Sequence, residues 1–140
     1  MTYATESDLV ERFGFEELAQ RTNRVDGSSI DTVVLGRALA DADAEINGYL
    51  ATRYSLPLSS TPAVLVRLAA DMARYQLCAD KVPESVRQRY VDAVLVLKRL
   101  ATGEVQLAGI TAAPATGGAG NAVDARTPDR LFGPKQLASY

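Results

Sequence analysis

Three carboxylates in the middle of the chain form the densest group of residues that could do chemistry. Asp41, Asp43 and Glu45 alternate with alanines. On a helix, residues 41 and 45 share a face, whereas residue 43 points elsewhere. Two carboxylates within reach of each other could bind magnesium or act as an acid–base pair in a carboxylate-metal enzyme. A solvated helix face flanked by Arg37 accounts for the same residues, and the sequence offers no third ligand, so we expect no metal site here.

The cysteine and the glycine-rich stretch give weaker indications of a functional site. Cys78 follows Leu77 late in a helical pattern, and no histidine is present to activate its thiolate. We therefore expect a small buried residue at this position. Gly117, Gly118 and Gly120 follow no strand and lack the Gly-Lys-Ser/Thr ending of a phosphate-binding loop, so they predict no nucleotide site.

The composition of the 140-residue chain excludes several classes of function. With no histidine there is no Ser-His-Asp triad, no Cys-His dyad and no imidazole-ligated metal. One cysteine cannot form an internal disulfide, so a reducing cytoplasm or a virion suits the chain. A net charge of -2 is far from the strongly positive charge that is typical of a protein binding the phosphates of nucleic acid. No apolar run approaches the roughly 20 residues of a membrane span, so we expect no membrane partner.

The apolar residues recur at helical spacing, which predicts an all-α fold: a small bundle of about four helices, one short and N-terminal and three long, with a flexible C-terminal arm. Residues 15–21 add another helical turn or two. The last helix is apolar on most sides, which indicates either a central position or a covering subunit. The predicted helices cover residues 6–13, 30–52, 62–79 and 84–102.

Capping residues set the predicted helix starts. Thr5 with Asp8, and Ser28 with Asp31, resemble capping boxes. The pair at residues 61–62 offers a threonine N-cap and a proline at the first helical position.

Two charged residues on the third of these helices carry a further prediction. Asp71 and Arg74 lie with Arg67 opposite the apolar stripe, and the spacing allows ion pairs at 67/71 and 71/74. We expect Asp71 and Arg74 to pair within a subunit, between helices or between subunits.

The chain divides at Gly103, which suits the end of the last helix. Residues 1–103 form the predicted bundle domain, and residues 104–140 form a Gly/Ala-rich linker and a C-terminal arm. A disordered tail or a chain end accounts for the arm as well. We interpret its end as a docking segment for a partner, carried by Arg130, Leu131, Phe132, Leu137 and Tyr140.

Several stretches of the sequence, taken in order, match one known pattern. They are residues 3–9, 13–14, 40–50, 53–58, 61–62, 68–75 and 130–132. Together they resemble a family of small Mu-like prophage proteins and the wider group of phage head–tail connector proteins. The central stretch resembles that group's core of an acid, Ile-x-x-Tyr-Leu, Arg-Tyr and x-x-Pro, and the last stretch resembles its C-terminal arginine–aromatic motif.

The resemblance implies a structural adaptor subunit that catalyses nothing and needs no cofactor. Such subunits form a ring, often of twelve copies, on the portal protein and beside a neck or tail-completion protein, and DNA passes through the ring without specific binding. The implied location is the virion neck, with the host cytoplasm during assembly. Arg53, Tyr54 and Pro57 would fix the turn between two long helices. The alternative is a small prophage-encoded DNA-binding regulator. The last long helix is the most basic element of the chain, although a nucleic-acid surface would need more charges, clustered and interleaved with exposed aromatic residues.

Overall fold

The computed structural model describes residues 2–78 and 81–112, and these residues form five α-helices and no strand. The all-helical prediction is confirmed, and the turn or two expected after Gly14 is a complete helix, α2. No helix within these two ranges combines the length and the apolar character needed to cross a membrane. The helices are α1 (Glu6–Phe13), α2 (Phe15–Thr22), α3 (Thr32–Leu50), α4 (Ala63–Leu77) and α5 (Glu84–Thr102).

The capping box at the start of α1 is confirmed. The Thr5 hydroxyl accepts a hydrogen bond from the Asp8 amide at 3.3 Å, and the Asp8 carboxylate accepts one from the Thr5 amide at 2.9 Å. Two of the amides that a helix start leaves without an internal partner are satisfied in this way.

The second predicted capping box is wrong. Asp31 itself is the N-cap of α3, and its carboxylate accepts from the amides of residues 33 and 34 at 3.0 and 3.3 Å. The Ser28 hydroxyl hydrogen-bonds to the Asp26 carboxylate and stays in the preceding loop. The helix therefore starts at Thr32, two residues later than predicted.

Prolines stand immediately before α4 and α5. Pro62 is the N-cap of α4 and not its first helical residue as predicted, and Thr61 supplies no capping hydrogen bond. The Pro62 carbonyl accepts from the amides of residues 65 and 66, and a proline suits this position because the N-cap needs no N–H of its own. Pro83 has the same role before α5, which ends as predicted at Gly103 with a positive φ of 87°.

Helix α4 is the centre of the bundle and contacts α1, α3 and α5. Its alanines at 69, 70 and 73 are fully buried, which lets the neighbouring helices come close. Because α4 holds this position, the apolar character of α5 does not come from a central location. The largest fully buried side chains are Leu9, Leu18, Leu35, Ile46, Leu50, Leu65, Leu68, Met72, Val86, Leu97 and Leu100.

The chain continues along the bundle after α5. Leu107 is buried in the core, and Ile110 and Ala112 pack against it. The Leu107 amide donates to the Tyr54 hydroxyl at 3.1 Å. The first residues of the predicted linker, 104–112, thus lie on the bundle. The division at 103/104 stays a prediction, because residues 113–140 lie outside the described ranges.

Candidate functional site

An apolar groove runs between α3 and α5 and has a volume of about 330 Å³. Val91 and Leu95 are among its lining residues and expose 44% and 46% of their surface. Exposed aliphatic side chains that cluster are more informative than scattered ones, because such patches mark contacts with other molecules. We call this feature the α3–α5 groove, and its lining residues are Glu45, Tyr49, Tyr90, Val91, Val94, Leu95 and Lys98.

One wall of the groove is held in place by an aromatic pair. The rings of Tyr75 and Tyr90 stack with centroids 4.1 Å apart, and the Tyr90 hydroxyl donates to Glu45 Oε2 at 2.8 Å. Burial, followed by the hydrogen bond to Glu45, raises the pKa of Tyr90 to about 12. The stack with Tyr75 and the hydrogen bond to Glu45 together hold the Tyr90 ring, so this wall is preformed.

The three central carboxylates have different surroundings. Asp41 is exposed, whereas Glu45 lines the groove. Asp43 is buried and accepts from the Tyr3 amide at 3.1 Å, which contradicts its predicted place on the polar face. The N-terminal segment covers Asp43, and this burial raises the pKa of its carboxyl group. Within residues 2–78 and 81–112 no group of three or more acidic, cysteine or histidine side chains could hold a metal ion.

Asp71 is a buried carboxylate at the boundary of α4 and α5. Its oxygens lie 3.8 Å from Nη1 of Arg67 and 3.8 Å from Nη1 of Arg89. The prediction that Asp71 lies on an exposed face is wrong, because that side of α4 is covered by α5. Burial raises the pKa of Asp71, although the positive charges of Arg89 and Arg67 oppose the shift.

Arg74, the expected partner of Asp71, pairs elsewhere. Its guanidinium donates two hydrogen bonds to Glu17 of α2 and lies 4.4 Å from the ring centroid of Phe13. Burial disfavours ionised Glu17, but the hydrogen bond and charge of Arg74, with help from Arg21, outweigh it and lower the pKa of Glu17. Sequence reasoning missed Glu17, which lies 57 residues from Arg74 and belongs to no motif.

The predicted turn residues lie where α3, α5 and the following segment meet. Tyr54 is buried and contacts Leu107 through its hydroxyl. The Arg53 guanidinium lies so close to Gly103 that a Cβ there would be 2.6 Å from Nη1. Pro57 belongs to the same connector, between α3 and α4. Arg53 and Tyr54 thus join the end of α3 to the end of α5.

Two further predictions concern Cys78 and the C-terminal arm. Cys78 is buried as predicted, and burial raises the pKa of its thiol, which lowers its reactivity. The predicted docking residues all lie outside the described ranges: Arg130, Leu131, Phe132, Leu137 and Tyr140.

Comparison with known proteins places this helical chain among phage and prophage proteins. The model of the family described as "Bacteriophage Mu, Gp36" matches residues 3–125, so the chain belongs to that family. Over 105 residues it is 35% identical to the "Mu-like prophage FluMu protein gp36" of Haemophilus influenzae, covering 75% of this chain and 74% of that protein. Over 106 residues it is 37% identical to "Gene product J" of Escherichia phage Mu, covering 74% of each. The expected Mu-like prophage family is confirmed.

Proposed function

We propose that this protein is a structural head–tail connector subunit of a Mu-like phage or prophage. It assembles as a ring on the portal at the virion neck and forms part of the conduit through which DNA passes. Its partners are further copies of itself, the portal protein and a neighbouring neck or tail-completion protein. It catalyses no reaction, needs no cofactor, and is present in the host cytoplasm during assembly and in the virion afterwards.

The observation that carries this proposal is the α3–α5 groove. Val91 and Leu95 remain nearly half exposed on a helix that packs its other side firmly into the bundle. Covering such a surface with another protein gains about 25 cal/mol for each Å² of apolar area removed from water. An exposed apolar surface of this kind is expected in a subunit that assembles with other proteins.

The use of charged residues in the bundle supports the same proposal. Glu17 joins α2 to α4, Asp71 lies between α4 and α5, and Asp43 fastens the N-terminal segment to α3. These carboxylates hold the helices in fixed positions relative to one another. Such contacts make the subunit rigid, and a rigid subunit presents fixed surfaces to its neighbours.

The DNA-binding regulator remains as the alternative because of one basic surface. Arg67 and Arg89 are each about half exposed beside Asp71. A regulator that used them would bind duplex DNA with an affinity that falls steeply with salt. We expect weak binding instead, because the buried carboxylate between the two arginines offsets part of their charge. A gel-shift titration on duplex DNA at two salt concentrations distinguishes the two proposals.

Co-purification with the portal tests the connector role. Tagged portal should retain the wild-type protein, and native mass spectrometry should show many copies on each portal. Leu95→Asp, which puts a charge into the groove, should reduce the number of copies. Val33→Asp is the matched control, because Val33 is also exposed on a helix but does not line the groove. Failure of the wild-type protein to bind portal or neck proteins would refute the proposal.

A further inference from the structure

We infer that the loop between α2 and α3 of one copy inserts Val25 into the α3–α5 groove of a second copy. This contact rests on the proposed function, because it specifies the two surfaces that join neighbouring subunits of the ring. The occupant is thus a second copy of this chain, and the contact pairs an aliphatic tip with an apolar groove.

Val25 is the most exposed large apolar residue in the described ranges, with its full surface open to solvent. It stands at the middle of a turn, where polar residues are the rule. The loop around it is ordered by its own hydrogen bonds: the Asp26 amide donates to the Asn23 side chain at 3.1 Å, and Ser28 hydrogen-bonds to Asp26. A valine held at a fixed tip loses little conformational freedom when it docks.

The groove suits such a tip in size and character. Its volume of about 330 Å³ is at the lower end of the range for binding pockets. A groove of this size can hold the isopropyl group of Val25 together with part of the turn that carries it. Val91, Val94 and Leu95 supply apolar contacts, and the stacked Tyr90 fixes the shape of one wall. Apolar anchors that enter preformed pockets contribute much of the affinity in protein interfaces.

The groove is lined by both Glu45 and Lys98, and one charge beside the tip can pair with the lysine. Asp26 follows Val25 directly, and Lys98 lines the groove. A carboxylate has about four acceptor sites, so Asp26 can keep its bond to Ser28 and accept from Lys98 as well. Arg24, on the other side of the tip, donates to the Leu77 carbonyl of its own chain at 3.3 Å and plays no part in the contact.

A chain cannot fill its own groove. The Asp31 amide donates to the Thr22 hydroxyl at 2.9 Å, which ties the loop to the start of α3. Glu45 lies 14 residues further along α3, so at 1.5 Å per residue the groove begins about 20 Å away. The tip and the groove are therefore different surfaces that only two copies can bring together. Repeated from copy to copy in a head-to-tail arrangement, such a contact generates a ring or a filament.

Exchanging the charges of Asp26 and Lys98 tests the contact. Asp26→Lys and Lys98→Asp should each weaken association between copies at least tenfold, and the double variant should recover most of the loss. Val25→Ser should weaken association, whereas Val33→Ser, at another exposed valine, should not. All these side chains are exposed, so circular dichroism should show the same helical content for every variant. Unchanged association for D26K, K98D and V25S would overturn the contact.

Cross-linking gives a second readout. In a Cys78→Ser background, chains with Asp26→Cys are mixed with chains carrying Lys98→Cys, with and without portal, and oxidised. A cross-linked pair that forms only in the mixture supports the head-to-tail contact. Pairs within either single variant, or a link from K98C to the portal, would overturn it.

The two proposals fail separately. If rings form on the portal but neither the mixed cross-link nor the charge exchange is seen, the Val25 contact is wrong and the connector role stands. If wild-type protein neither associates nor binds portal, the connector role fails, and the contact fails with it.

Discussion

The Arg74 guanidinium of α4 holds the Glu17 carboxylate of α2 through two hydrogen bonds, from Nε to Oε2 at 2.7 Å and from Nη2 to Oε1 at 3.0 Å. The two residues are 57 positions apart in the chain. Helices of eight residues, such as α1 and α2, are too short to be stable in isolation. This pair, with Phe13 against the guanidinium, therefore fastens the N-terminal helices to the centre of the bundle.

Glu17→Gln should lower the free energy of unfolding by about 1 kcal/mol at pH 7, because it weakens a charged hydrogen-bond pair that is only partly exposed. The pKa of Glu17 is lowered in the fold, so its contribution is present above the usual value of 4.5 and is lost as pH falls through the lowered pKa. Urea denaturation should show the difference from wild type shrinking in acid. Glu16→Gln, at an exposed neighbour, is the control and should have little effect. A Glu17→Gln deficit that persists unchanged at acidic pH would contradict the assignment.

Gly103→Ala should destabilise the protein by more than about 1 kcal/mol, because Gly103 has a positive φ of 87° and a Cβ would meet the Arg53 guanidinium at 2.6 Å. Gly36→Ala is the matched control. Gly36 lies on α3 with nothing within 4 Å of a Cβ, so alanine there should stabilise by about 0.5–1 kcal/mol. A urea midpoint for Gly103→Ala equal to or above that of wild type would refute the positive φ and the packing of Arg53 against Gly103.

Tyr54→Phe should loosen the segment that follows α5, because it leaves the buried Leu107 amide without its acceptor. The expected cost is about 1–3 kcal/mol. Hydrogen exchange of the Leu107 amide is the direct measurement and should become much faster. The amide of Leu97, inside α5, should keep its protection at moderate temperature. Equal acceleration at both residues would mean that the change unfolds the bundle as a whole.

Asp71→Asn should change how stability depends on pH. The pKa of Asp71 is raised from 3.8, so the folded state binds this proton more tightly than the unfolded state does. Stability from Asp71 is therefore greatest below 3.8 and falls as pH rises through the raised pKa. Wild type should lose stability relative to Asp71→Asn as pH rises from about 4 to about 7. Asp41→Asn, at an exposed position, is the control, and parallel pH profiles for wild type and Asp71→Asn would contradict the burial of an ionisable Asp71.

Local signals explain which parts of the fold the sequence predicts. The bounds of α1 and α5 follow from caps within a few residues: Thr5 with Asp8, and Pro83 with Gly103. The start of α3 does not, because Ser28 and Asp31 are both good caps and the loop's own hydrogen bonds decide between them.

The candidate sites, too, are predictable from the sequence only where a local signal exists. The excess of apolar residues in the sequence of α5 indicates a covered surface, and the groove lies there. The burial of Asp43 and Asp71 is not visible in the sequence, because it depends on Tyr3 and on helix α5, which are distant along the chain. The position of α4 at the centre likewise follows from packing among all the helices.

Electron microscopy of purified portal mixed with this protein tests the central claim most directly. We expect an added ring of density at one end of the portal, with the copies joined side to side and the channel left open. Free protein that is monomeric before mixing is compatible with this result, because binding to the portal can drive assembly. Portals that remain bare at every protein concentration, with no binding to neighbouring neck proteins, would contradict the connector role.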